Sequence, residues 1–155
     1  MITSRFTPVN DEEPACGRTC AKLLIYSSKL KPGEITKSLA GTEPTSQVFA
    51  REPEGTYPGR THGWFLSSEG IVNSRDLRTH LDWLLRAIVP LKNRLLELQA
   101  LDGIKMYVYC PWWAKFGGGG PSIWPEQMTS LSELNLECTI DFADYSHQEV
   151  NTAEE

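Results

Sequence analysis

Long apolar runs are missing from this chain: no segment reaches the roughly 18 consecutive apolar residues that a membrane-spanning helix needs. Met1–Asn10 is polar and has no apolar stretch of the secretory-signal kind. The expected compartment is the cytoplasm, where Cys16, Cys20, Cys110 and Cys138 would stay reduced. Basic residues are also scarce, with 15 Lys and Arg against 20 Asp and Glu, for a net charge of −5. Phosphate-driven nucleic-acid binding and anionic membrane surfaces both call for a basic face, so both are set aside. The surplus of acid suits a basic protein partner.

Metal ligands and catalytic motifs are missing too. Cys16 and Cys20 have three residues between them, but no second close pair completes a zinc set, so no metal and no cofactor is expected. No local signature pairs a cysteine nucleophile with His62, His80 or His147. His80 reads as an edge position beside a helical stripe, and His62, at the head of a strand, is the one histidine to watch. Gly117–Gly120 lacks the Gly-Lys-Ser/Thr ending of a phosphate loop and the spacing of a dinucleotide fingerprint, so a flexible connection is the better reading. Asp11-Glu12-Glu13 and Asp141–Asp144 read as solvated surface rather than paired acid-base carboxylates. Enzymatic function is therefore not expected.

What is present is a chain of 155 residues, 40% hydrophobic, enough for one domain with a sizeable core. Residues 1–19 read as an irregular N-terminal arm, 20–145 as a single domain and 146–155 as a flexible acidic tail. Strands are expected over 22–28, 46–51, 62–68, 104–110 and 136–143, from short runs rich in β-formers. Pro32 opens a short helix that Gly41 would end. Leu77, Leu81, Leu84, Leu85 and Ile88 recur at helical spacing, with Ser74 as N-cap and Pro90 as a break before Leu91, Leu95 and Leu98. Pro111–Ser122 reads as an aromatic, glycine-rich loop, followed by a helix over 124–134. The fold class is α+β with order βαββαβαβ. It predicts a mostly antiparallel five-stranded sheet with helices on one face, a ferredoxin-like core plus a C-terminal α-β extension. Pro32–Thr36 and Pro125–Thr129 echo one another; helix-opening chemistry or duplication would each give that echo.

The segments Lys31–Thr36 and Gly63–Ser68, the Leu-rich helix 77–101 and the ending Ile140–Tyr145 together resemble the bacterial domain-of-unknown-function family numbered 4279. The resemblance spans roughly Cys20 to Tyr145 and implies the fold; it carries over no catalytic residue. Trp112-Trp113 and the glycine run lie outside the shared pattern.

Two groups of side chains are candidates for binding. Strand alternation puts Tyr26, Arg51, Tyr107, Tyr109 and Asp141 on the sheet face away from the helices. Trp112, Trp113, Phe116 and Trp124 bracket the glycine run, either packed on the core or forming a contact site. The expectation is a non-enzymatic protein-interaction domain, immunity- or antitoxin-like or regulatory, meeting a second protein or its own copy. The alternative is a small-ligand binder with loop 111–124 as its lid.

Overall fold

The computed structural model describes residues 7–51, 61–115 and 118–144. Its elements are β1 (Cys16–Thr19), β2 (Lys22–Ser27), α1 (Pro32–Ser38), β3 (Ser46–Val48), β4 (His62–Ser67), α2 (Leu77–Ile88), α3 (Lys92–Gln99), β5 (Ile104–Ala114), α4 (Pro125–Glu133) and β6 (Cys138–Asp144). A 3₁₀ turn at Val89–Leu91 holds Pro90 and separates α2 from α3, as the missing proline N–H dictates. This is a mixed α+β fold on a largely antiparallel sheet.

The strand order is β1-β5-β2-β4-β3, with β6 also paired to β5. β1 and β2 share one side of β5, Thr19 facing Trp112 and Lys22 facing Tyr109, so they form one lane bent at Cys20-Ala21. β6 lies on the other side of β5 and is its one parallel neighbour among the described residues.

Alternation decides which side chains reach the core. In β2, Leu23, Ile25 and Ser27 are buried while Lys22, Leu24 and Tyr26 are half-buried on the other face. Leu23, Ile25, Trp64, Leu66, Val108, Cys110 and Trp112 join the buried helix residues in one cluster. Leu77, Leu81, Leu84 and Ile88 are fully buried, each contributing about 1.5–3 kcal/mol by removal from water. The helices therefore cover one sheet face.

Four expectations need correction. Cys16–Thr19 is a strand, not irregular arm, because the register of β2 against β5 continues through Thr19 and Arg18, shifting only between Arg18 and Cys16. Pro111–Ala114 belongs to β5 rather than to a loop, because β1 and β6 take up its backbone on both sides. The α2 N-cap is Asp76, whose Oδ1 accepts from the Arg78 N–H at 3.0 Å; Ser74 instead donates to Asp11 at 2.6 Å. The expected strand 46–51 ends at Val48.

The echo between Pro32 and Pro125 has a local cause. Both helices begin with proline, and in both the third helical side chain turns back to the preceding backbone. Lys31 N–H donates to Glu34 at 2.8 Å and Trp124 N–H to Gln127 at 3.1 Å.

A buried ion pair ties the N-terminal arm to the body. Arg78 and Asp76 are both nearly inaccessible and joined at 2.7 Å. Arg78 also donates to the carbonyls of Thr7 at 2.7 Å and Pro8 at 3.0 Å, while Asp76 accepts from Asn10 N–H at 2.9 Å. Its ring neighbour is Trp124, at 5.3 Å. Beside this pair, His80 Nε2 bonds the Ser74 carbonyl at 2.7 Å, so Nδ1 is free to accept from Ser68 Oγ at 2.6 Å. His80 is 1% exposed, a buried position rather than the expected helix edge.

Two measurements test this packing. Leu84→Ala is expected to cost about 2–5 kcal/mol in urea unfolding, as for a large core side chain cut to alanine. The second is the pH dependence set by His80. Desolvation holds its ring below the ordinary 6.5, against the pull of the Ser74 carbonyl, Asp11 and Asp76. The unfolded chain then binds a proton that the folded chain refuses, so stability is full above about pH 6.5 and is lost as pH falls below it. Burial raises Asp76, but hydrogen bonds from Arg78 and Asn10 leave it lowered from 3.8, so its contribution fades only near and below pH 4. The urea midpoint should therefore drop between pH 7 and 5.5, and His80→Ala should flatten that drop; an unchanged slope in the variant would refute the assignment.

Candidate functional site: the open sheet face

The face away from the helices is ordered in rows by the strand register. One row runs Tyr109, Lys22, Ser67; the next runs Tyr107, Leu24, Phe65, Ser46; the third runs Lys105, Tyr26, Gly63, Val48. Three aromatic rings interlock across the rows. Tyr26 and Tyr107 stack at 6.5 Å between centroids, and Phe65 meets Tyr26 edge-on at 5.4 Å. Gly63 makes this possible, since a Cβ there would lie 2.3 Å from the Phe65 ring. The ring thus lies over the bare glycine backbone.

The rings, with Leu24, are half-buried by one another and by no helix of the described residues. Tyr26, Leu24, Phe65 and Tyr109 wall a hollow of about 430 Å³ that has Lys22 and Glu69 at its polar end. Lys22 pairs with Glu69 at 3.0 Å, Arg18 pairs with the same carboxylate, and the Arg18 guanidinium lies 4.8 Å above the Trp113 ring. Tyr109 donates its hydroxyl to Asp141, which with burial pushes the phenol up to about 12. Tyr109 is therefore a neutral donor at physiological pH.

Of the side chains singled out from sequence, the structure brings Tyr26, Tyr107, Tyr109 and Asp141 together on this face. Trp113 is on the same face beyond them, under Arg18. Arg51 is exposed three residues past the end of β3 and does not line the hollow. Trp112 is 1% exposed and points into the core with Cys110 and Val108. Trp124 precedes α4 and packs on Arg78. Phe116 lies outside the described residues. The tryptophans that bracket the glycine run in sequence are thus dispersed in space, because β5 runs through the first two of them. Sequence reasoning missed Leu24, Phe65, Gly63, Lys22 and Glu69. The same period-2 rule that placed Tyr26 places Lys22 and Leu24, and the Gly63-Trp64-Phe65 alternation marks Phe65 once Trp64 is assigned inward.

The remaining reactive groups are occupied elsewhere. Ser68 and His80 form a buried pair whose hydroxyl already accepts from Ala21 N–H at 2.9 Å, so it meets no substrate. His62 is 2% exposed and its Nδ1 accepts from Ala50 N–H at 3.1 Å. Cys110 and Cys138 approach at 3.8 Å on the helix-covered face, and burial pushes up the thiols of Cys16 and Cys20. Among the described residues no three His, Cys, Asp or Glu side chains converge as a metal would require. The Gly118–Gly120 segment runs between Ala15 and Phe142.

A family model described as domain of unknown function (DUF4279) matches residues 16–145. No curated protein and no solved structure matches the chain.

Gly63→Ala tests the aromatic arrangement. The new methyl must displace Phe65 from Tyr26, and such crowding typically costs about 1–3 kcal/mol. Pairing it with Phe65→Ala should recover part of the loss in a double-mutant cycle. Strict additivity in urea unfolding would mean the ring does not rest on Gly63.

Proposed function

We propose that this chain, which belongs to the family described as domain of unknown function (DUF4279), is a protein-interaction domain that meets its partner through the open face of its sheet. The observation that carries this reading is the Tyr107–Tyr26–Phe65 cluster, held half-buried on a face that no described helix covers. Tyrosine and phenylalanine with locked rings bury much area on contact and lose little side-chain freedom, which is why such residues anchor interfaces. Each partner sees a rigid apolar centre with a polar rim of Lys22, Glu69, Arg18 and Asp141. The net charge of −5 favours a basic partner, and an immunity- or antitoxin-like role is one form this takes. We read β2, β3, β4 and β5, in the order β5-β2-β4-β3, as a ferredoxin-like unit that carries α4 and β6 as an added pair.

The test compares surfaces. Tyr107→Ser and Leu24→Gln change the open face, while Glu97→Lys changes the exposed side of α3. All three should melt within a few degrees of wild type, because none removes a fully buried side chain. Crosslinking to a co-purified partner, or sedimentation if the partner is a second copy, should weaken at least tenfold for the first two and be unchanged for Glu97→Lys. The reverse pattern would discard the open face as the contact surface.

A further inference from the structure

β5 is eleven residues long, yet β6 accompanies it only from Val108 onward. The hydrogen-bond parity of the first half can be read from its ends. Ser28 N–H donates to the Gly103 carbonyl at 3.2 Å, in phase with the facing pairs Tyr26–Lys105, Leu24–Tyr107 and Lys22–Tyr109. The odd residues of β5 therefore bond β2. The even residues point the other way, as Val108 does when its N–H donates to the Glu137 carbonyl at 2.9 Å. Ile104 and Met106 then direct two N–H and two C=O groups toward the β6 lane before β6 has entered it.

That stretch opens on a hollow of about 810 Å³. Tyr26 and Tyr107 wall one side, and Leu136 and Gln99 the other. β6 is prevented from sliding down to fill it. Asn135 adopts a left-handed turn at φ 53°, Gln99 Nε2 donates to the Leu134 carbonyl at 2.9 Å, and Asn135 Nδ2 donates back to Gln99 Oε1 at 2.9 Å. The α4–β6 turn is thereby pinned to the end of α3. Asp102-Gly103 closes the other end of the lane, with Gly103 at φ 79°.

We infer that the partner reaches this domain with an extended peptide segment, which adds as a short strand beside Ile104–Tyr107 in the open start of the β6 lane. The inference rests on the open-face reading and specifies the partner's chemistry. Main-chain donors and acceptors recurring at strand spacing are matched by another extended backbone and by little else. About four residues span the lane, at roughly 3.3 Å each. A lone strand fits between the pinned turn and Gly103; the edge of a second folded copy would bring its own pinned turn into the same short window. Alternate residues of the peptide would meet the Tyr107–Tyr26 stack on one side and Met106, Ile104 and Leu136 on the other.

The test uses the full chain and 12-residue peptides selected on it from a random phage-displayed library, then synthesised. Binding should shift the amide signals of residues 104–107 and slow hydrogen exchange at Ile104 and Met106. N-methylation of alternate peptide residues should weaken binding at least tenfold in one register and little in the other. Met106→Pro should also weaken binding at least tenfold, since it removes an outward N–H and no bond to β2. The peptide methylation series keeps the test decisive if that variant folds poorly. Three results would overturn the inference: no peptide selected, equal tolerance of N-methylation in both registers, or concentration-dependent protection of the same amides without peptide, which would make the occupant a second copy. Shifts confined to Leu24, Phe65 and Tyr109 would overturn the strand addition and leave the open-face reading standing.

Discussion

The pairing of β5 on both sides is the constraint on which the rest of this structure depends. Its outer residues Ile104–Tyr109 hold β2, its inner residues Trp112–Ala114 hold β1, and from Val108 onward its far side holds β6. A strand flanked in this way must be apolar on the face that the helices cover, and Val108, Cys110 and Trp112 supply that face. The other face is then fixed by the period of two. Tyr107, Tyr109 and Trp113 have no choice of side once Val108 and Trp112 are inward. A one-residue slip would exchange a tryptophan in the core for a tyrosine hydroxyl without a partner, so the register is strongly specified and the open face with it.

The helical layer depends on a second, polar constraint. Arg78 sits at the start of α2 and is almost wholly buried, a position that taking a charge from water makes costly unless the charge is paired and hydrogen-bonded. Here Asp76 takes two of its donors and the Thr7 and Pro8 carbonyls take two others. The Arg78 carbonyl in turn accepts from Gln127 at 2.9 Å, which brings α4 onto α2. One residue, through its side chain and its carbonyl, thus joins the arm, the long helix and the last helix. Satisfying it draws residues 7–15 across the helix start, and that delivers Cys16–Thr19 to the edge of β5. A strand of four residues is therefore recruited by tertiary contacts rather than by its own propensity.

This explains which parts of the fold were legible in the sequence. The stripe Leu77–Ile88, the break at Pro90 and the extents of β2 and β4 depend on local sequence, and each was read within a few residues. The Cys16–Thr19 strand, the continuation of β5 through Pro111 and the burial of His80 depend on partners far away in sequence. Pro111 and the glycines behind it argued locally for a loop, and pairing on both sides overrode them. The site followed the same division. Tyr26, Tyr107, Tyr109 and Asp141 came from alternation alone. The Gly63–Phe65 contact did not, because a glycine under an aromatic ring has no period and becomes visible only with the ring's position. Arg51 failed for the related reason that β3 ends sooner than its apolar run suggests, at Val48.

The openness of the sheet face and of the β5 edge follows from one economy of lengths. The helices α2 and α3 spend their apolar stripe on one face, and Leu131 and Leu134 of the α4 region finish that layer. No apolar stripe of the described residues is left over to cover the other face. A bare face of this kind is usually protected by charge alone, as lysines and acids scattered along exposed strands discourage pairing. Here Lys22, Glu69, Arg18 and Asp141 gather toward the β1 end, while at the other end Tyr26 and Tyr107 lie with Lys105 and Glu137 around a stretch of β5 that no described strand pairs on that side. The ion pairs of this face thus lie where the strands are paired, and the aromatic stack lies beside the stretch of β5 that no described strand pairs on that side.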